Sequence, residues 1–200
     1  SEGELLRFEH RLQELLPQIE YVVVAGSLPR GVTPLRLSQW LNLLAEQGKK
    51  VLFDSSGAAM AAGLTAKPFL IKPNEHELAD WAGQPLESLE ALMAAAESLQ
   101  ARYQIPHVVV SRGADGVLWR AGSSWWQAKP PRMSVVSTVG AGDSMVAGLA
   151  WGLSQSWSME QILRLASAVS ALAVTQIGVG IADPQQLATL MASIEVQQLS

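Results

Sequence analysis

The sequence predicts an α/β fold in three layers, a mostly parallel sheet flanked by helices on both faces. Three observations predict it. Short β-branched runs alternate with longer runs of helical period, which is the pattern of βαβ units. After Tyr21 and His107 at their starts, the short runs YVVVA, VLF, FLI and HVVV are continuously apolar, as strands covered on both faces are. Hydrophobic residues make up 48% of the 200 residues and charged ones 16%, enough apolar material for a core and too little charge for disorder.

The elements follow in order. YVVVAG (21–26) reads as a buried strand ended by glycine. TPLRLSQWLNLLAEQG (33–48) reads as a helix. Thr33 is its N-cap, Pro34 lies in its first turn, Leu37, Trp40, Leu41 and Leu44 share one face, and Gly48 ends it. VLFD (51–54) and FLIK (69–72) are the next strands. An alanine-rich helix capped by Ser88 leads to the strand HVVVS (107–111). GVLWRAGSSWWQAK (116–129) reads as a hairpin with Gly122, Ser123 and Ser124 at its turn. VVST (135–138) reads as a last short strand. Three helices follow, beginning near Ser144, Ser158 and Asp183, the last with Pro184 in its first turn. No repeat, low-complexity tract or long linker divides the chain, so residues 1–200 are read as one domain.

Composition excludes several classes. The formal net charge is −4 and no Lys/Arg cluster occurs, which argues against a nucleic-acid partner. With no cysteine there is no disulfide scaffold or thiolate metal site, and a reducing, cytoplasmic setting is expected. No apolar run approaches the roughly 18 residues of a membrane span. The opening SEGELLRFEH is acidic and polar, unlike a secretory signal, and reads like the middle of a longer chain.

In open α/β sheets, ligands gather beyond the carboxyl ends of the strands. Five strand ends here carry small or polar residues: Gly26-Ser27, Asp54-Ser55, Lys72-Pro73-Asn74-Glu75-His76-Glu77, Ser111 to Gly116, and Gly140-Ala141-Gly142-Asp143. Together they describe a cleft for a polar ligand. At the last, Gly140 and Gly142 permit a tight turn. The helix behind them adds unpaired N–H donors and the positive end of its dipole. That combination binds anions, phosphate among them. A carboxylate beside an anion site repels the anion unless it has a task. Asp143 could take the proton of an attacking hydroxyl, as phosphoryl transfer needs. The plainer reading makes Asp143 a capping residue and the glycines a turn.

Other patterns carry less. A Walker A motif and H-E-x-x-H are both absent. GVGIAD (178–183) lacks the third glycine of a dinucleotide fingerprint and follows a helix. His10, His76 and His107 are scattered and read as packing or surface residues, and the seven tryptophans read as core or rim. Asn74 and Glu77 form a capping box on one reading. On another, the same spacing holds Mg²⁺ through water, and the two readings are compatible.

These five junctions, in this order, resemble the ribokinase-like (PfkB) family of carbohydrate kinases. VSTVGAGDSMVAGL is similar to its C-terminal signature, and VVVAGSLPRGV, FDSSG, IKPNEHEL and VVVSRGADG resemble its hexose-phosphate branch. The resemblance covers essentially the whole chain. It implies an ATP-dependent, Mg²⁺-requiring kinase of a sugar phosphate, with fructose 1-phosphate first among acceptors and the 6-phosphates of fructose or tagatose as alternatives. By the resemblance, Asp143 is the catalytic base, and the amides of Ala141, Gly142 and Asp143, after Gly140, form the anion hole. Asn74 and Glu77 organise Mg²⁺, and Asp54 joins through water. Lys72 lies near the nucleotide phosphates, and Ser111, Arg112, Gly113, Ala114, Asp115 and Gly116 hold phosphates and ribose. Gly178 and Gly180 border the adenine, and Ser27 meets the sugar phosphate. The family's chain is longer. About its first third, with most of the sugar site, several strands and a lid that serves as a dimer surface, has no counterpart here. A fragment of this kind is expected to expose a sheet edge and to be weak or inactive alone, serving at least as a nucleotide-binding module, with homodimers expected of the full-length protein.

Overall fold

The computed structural model describes residues 1–178, 180, 181 and 183–199. Among them, seven strands form one sheet in chain order: β1 Tyr21–Ala25, β2 Lys50–Asp54, β3 Leu70–Ile71, β4 His107–Ser111, β5 Val117–Ala121, β6 Ser124–Lys129 and β7 Glu195–Leu199. The helices are α1 Glu2–Leu15, α2 Pro34–Glu46, α3 Gly57–Leu64, α4 Glu75–Ala82, α5 Leu89–Tyr103, α6 Ala141–Ser154, α7 Met159–Ala173 and α8 Pro184–Ser193.

The strand period of two divides the core. Val51, Phe53, Val108, Val110 and Leu118 face a layer built from α2 to α5. Leu52, Val109, Val117 and Trp119 face the opposite layer, α6 to α8. The expected three-layer α/β fold is therefore present. Helix caps read from the sequence form as expected: the Thr33, Ser88, Ser158 and Asp183 side chains each accept a first-turn amide. The hairpin turns at Gly122-Ser123, where Ala121 pairs with Ser124.

Several local expectations are corrected. Parallel pairing covers β1 to β4, while β5, β6 and β7 join antiparallel, so the sheet is mixed. β1 is an edge strand, not a buried one: it pairs only with β2 among the described residues, and Val23 is 45% exposed. Residues 135–138 form no strand. The amides of Val136 and Ser137 turn instead to the carbonyl of Val174 at the end of α7, at 2.7 and 3.2 Å, because no strand edge lies beside them. The helix expected near Ser144 begins at Ala141, which puts Gly142 and Asp143 inside its first turn. Three elements had no expectation, α3 at Gly57–Leu64 among them. α1 is amphipathic yet buries no residue fully, and β7, with its polar EVQQL, is defined by pairing with β6.

Candidate active site

The carboxyl ends of β1 to β4 are laced together by backbone bonds. The Gly26 amide donates to the Asp54 carbonyl at 2.9 Å, the Lys72 amide to Phe53 at 3.1 Å, and the Ser111 amide to Pro73 at 3.0 Å. The Ser55 hydroxyl donates to the Gly26 carbonyl at 2.8 Å. Each loop is thereby held at the rim of the sheet. Ser27 follows Gly26 there and is exposed.

The first turn of α6 stands beside this rim. Gly140, its N-cap, adopts φ +80°, a left-handed conformation that a side chain disfavours, and offers no capping side chain. The first good intrahelical bond runs from the Ser144 amide to the Gly140 carbonyl at 2.9 Å. The amides of Gly142 and Asp143 precede it and are the free donors that a helix N-terminus leaves. The Ala141 amide makes only a long contact of 3.4 Å with the Thr138 carbonyl. Asp143 is exposed, so it is no packing residue.

Beneath Gly142 lies a buried ion pair. Lys72 Nζ and Asp54 Oδ2 are 3.0 Å apart, with side chains 5% and 14% exposed. A Cβ built on Gly142 would stand 3.5 Å from that ammonium and 3.7 Å from the carboxylate. Burial pushes the Asp54 carboxyl above its ordinary range. The Lys72 charge and hydrogen bond pull it back, and repulsion from Asp143 raises it further. Two carboxylates and one ammonium thus share a field next to free helix amides, an arrangement able to bind a polyphosphate and to accept a proton beside it.

Asn74 and Glu77 form the capping box in full: Asn74 N–H donates to Glu77 Oε2 at 2.9 Å and Glu77 N–H to Asn74 Oδ1 at 2.8 Å. Glu77 Oε1 is left over. Among the described residues no group of three or more His, Cys, Asp or Glu could hold a metal by itself. That sparse donor set suits Mg²⁺, which keeps several waters and takes phosphate oxygens alongside one or two carboxylates.

From Ser111 the chain passes through Arg112, whose Nε meets Glu75 Oε1 at 3.1 Å, into a 3₁₀ turn at Gly113–Asp115. Gly113, Ala114 and Gly116 line a cavity of about 240 Å³. Its other walls include Met133, Ala141, Met145 and Ser167. The structure therefore brings Gly113, Ala114 and Gly116 to one depression with Ala141, while Ser111, Arg112, Gly140, Gly142 and Asp143 lie outside its lining. Asp115 is exposed and outside the cavity lining. Gly178 and Gly180 lie on the loop beyond α7 and do not line it either; the Gly180 carbonyl accepts from Gln176 Nε2 at 2.9 Å. The α7 wall was missed by sequence reasoning, since a helix of alanines and serines reads as packing.

The histidines play the packing and surface parts expected of them. His10 pairs with Glu14 on the surface, His76 is exposed, and His107 accepts from Trp119 Nε1 at 3.3 Å, with burial lowering its pKa. Trp119 and Trp125 are in the core.

Comparison with known proteins bears on the family and the fold. A model of the pfkB family of carbohydrate kinases matches residues 2–186. The chain is 51% identical over 199 residues to the 1-phosphofructokinase of Vibrio cholerae, covering 100% of this chain and 62% of that protein. It is 50% identical over 182 residues to the 1-phosphofructokinase of Escherichia coli K12, covering 91% of this chain and 58% of the relative. The fold matches the crystal structure of Escherichia coli phosphofructokinase-2 in complex with substrates and products at a TM-score of 0.82 and 32% identity, over 92% of this chain and 61% of that one. The chain thus spans about three fifths of the length of these relatives. The chain belongs to the pfkB family of carbohydrate kinases.

Proposed function

We propose that this chain is the nucleotide-binding, base-carrying part of an ATP-dependent kinase that converts fructose 1-phosphate to fructose 1,6-bisphosphate. One observation carries the reading: Asp143 is exposed on the first turn of α6, beside free amides, with the Lys72–Asp54 pair directly under Gly142. The two relatives above are named 1-phosphofructokinase, which favours the 1-phosphate as acceptor.

In this mechanism the terminal phosphate of ATP rests on the amides of Gly142 and Asp143, with Ala141 assisting. Lys72 adds positive charge near the phosphates. Ser111 to Gly116 carry the nucleotide on towards the cavity, while Ser27 and Asp143 face the sugar phosphate. Asp143 accepts the proton of the acceptor hydroxyl as that oxygen bonds to phosphorus and ADP departs. The transfer passes through a loose transition state, so the base acts late and positioning dominates. Mg²⁺, held by Glu77 and Asp54 largely through water with Asn74 orienting that shell, would neutralise phosphate charge.

Two neighbouring readings have observations behind them. Escherichia coli phosphofructokinase-2 has been crystallised with fructose 6-phosphate, which keeps the 6-phosphates as alternative acceptors. For the 200 residues alone, binding without turnover is the alternative, because β1 is an open edge and the chain spans three fifths of its relatives. The whole protein is proposed to be a cytoplasmic homodimer. No described helix is long and apolar enough to cross a membrane. A tetrameric inhibited form is described for phosphofructokinase-2 of Escherichia coli.

The test is Asp143→Asn in the full-length enzyme. Losing a general base lowers kcat about 10²–10⁴-fold, and ATP affinity should hardly change. A fall below tenfold would remove Asp143 from the role.

A further inference from the structure

Two loops leave the sheet side by side at the candidate site. After β3 the chain enters α4 through Pro73 and Asn74, and after β4 it enters the Gly113–Asp115 turn through Ser111 and Arg112. A parallel bridge joins Asn74 to Ser111, and the Ser111 amide donates to the Pro73 carbonyl at 3.0 Å. Arg112 closes the second loop with its own backbone. Its amide donates to the Gly116 carbonyl at 2.8 Å, and its carbonyl accepts from the Asp115 amide at 3.0 Å. Gly113 and Gly116, at φ +55° and +90°, bring this loop no side chains to hold it. Its far end is pressed against β6, where a Cβ on Gly116 would strike the Ala128 carbonyl. Among the described residues, the one side-chain hydrogen bond or ion pair made from Ser111 to Gly116 is that of Arg112 Nε with Glu75 Oε1, at 3.1 Å.

That tether ends at a particular place. Glu75 is the first residue of α4, between Asn74 and Glu77 of the capping box. A carboxylate in the first turn is already favoured by the helix dipole and needs no cation there. The Arg112 side chain is only 16% exposed, so the pair is not a loose surface contact. We infer that Arg112 and Glu75 are positioning residues: their ion pair ties the loop that the nucleotide lies against to the α4 turn that organises Mg²⁺, so that metal and nucleotide meet one preassembled unit. The inference rests on the kinase reading above. Both side chains act through the backbone they hold, not by touching phosphate or metal. Metal and nucleotide then each bind more tightly because the other's element is already in place, and such coupling is reciprocal.

The sign of two substitutions separates this role from its rivals. If the two side chains acted by charge alone beside a polyphosphate, Arg112→Leu would weaken ATP binding and Glu75→Gln would strengthen it. If Glu75 were itself a Mg²⁺ ligand, freeing it by Arg112→Leu would strengthen Mg-ATP binding. If the pair is a tether, either substitution weakens it.

ATP with excess Mg²⁺ and ATP in EDTA are titrated calorimetrically into the 200-residue chain, Arg112→Leu, Glu75→Gln and the double variant. Each single variant should weaken Mg-ATP binding by about three- to tenfold, the cost of ordering afresh what the pair had preordered. The double variant should be no weaker than the worse single one, since partners in one pair are not additive. ATP in EDTA should bind almost unchanged, because without metal it does not call on the α4 turn. Opposite signs for the two single variants, or effects that multiply in the double variant, overturn the tether. A merely structural pair would lower the melting temperature and weaken both forms of ATP equally, which also overturns it. Failure of the unaltered chain to bind ATP in either form overturns the nucleotide reading itself.

Discussion

In the first turn of α6, Gly142 has room for a Cβ, which would meet the Lys72 ammonium at an ordinary contact distance of 3.5 Å. Less than two turns further on, Gly148 has none, and a Cβ would fall 2.7 Å from the Cα of Ala166. A Cβ on Gly152 would fall equally close, 2.7 Å, to the side chain of Ile162. The same residue type thus does opposite things at the two ends of one helix. Towards the C-terminal end it lets α6 and α7 touch backbone to backbone, and the protein's own atoms fill the room. At the N-terminal end no side chain fills it, although two charged groups point there, and the proposed occupant is a phosphate. Polar room that a protein leaves beside free amides and a buried ammonium is room for a ligand.

The comparison can be broken at either end. The largest stability effect is expected under the first turn. Lys72→Met leaves the Asp54 carboxyl buried and facing Asp143, and removing one partner of a buried pair costs about 3 kcal/mol or more. The sign with pH follows from Asp54. Its folded pKa already lies above the ordinary 3.8 and rises further without the ammonium, so the charged form is the penalised one. The deficit should be full at neutral pH and shrink as pH falls through the raised value towards 3.8. Urea unfolding of the two chains across that range checks it, and a deficit that grows with acidity would contradict the pairing.

At the packed end, Gly148→Ala should cost about 1–2 kcal/mol, overpacking outweighing the gain in helix propensity. Nucleotide affinity should be untouched. Denaturant midpoints give the first quantity and calorimetry the second. A more stable variant would mean that α6 and α7 are looser than described.

What could be read ahead of the structure was local. Thr33, Asn74, Ser88, Ser158 and Asp183 announce helix starts because capping depends on residues within one turn. The Gly140-to-Asp143 turn announced itself for the same reason, though not its true start at Ala141. Contacts across the sheet were invisible. Nothing in FDSSG or IKPNEHEL says that Lys72 will lie against Asp54, since that pair exists only once β2 and β3 align. The run VVST has the composition of a strand but lacks a neighbour, and EVQQL lacks the composition but has one. Strand identity was decided by partners rather than by propensity. The Arg112–Glu75 pair is likewise a property of packing, which no spacing encodes.

The measurement nearest the central claim compares Mg-ATP binding by the 200-residue chain, by Gly142→Ala and by Gly142→Val, using calorimetry. The backbone at Gly142 is helical, so alanine is sterically tolerable and should weaken binding only several-fold. The branched valine reaches the Lys72 ammonium and the space in front of the amides, and binding should vanish with the fold intact. Binding by Gly142→Val equal to that of the unaltered chain would show that the phosphates do not sit on the first turn of α6.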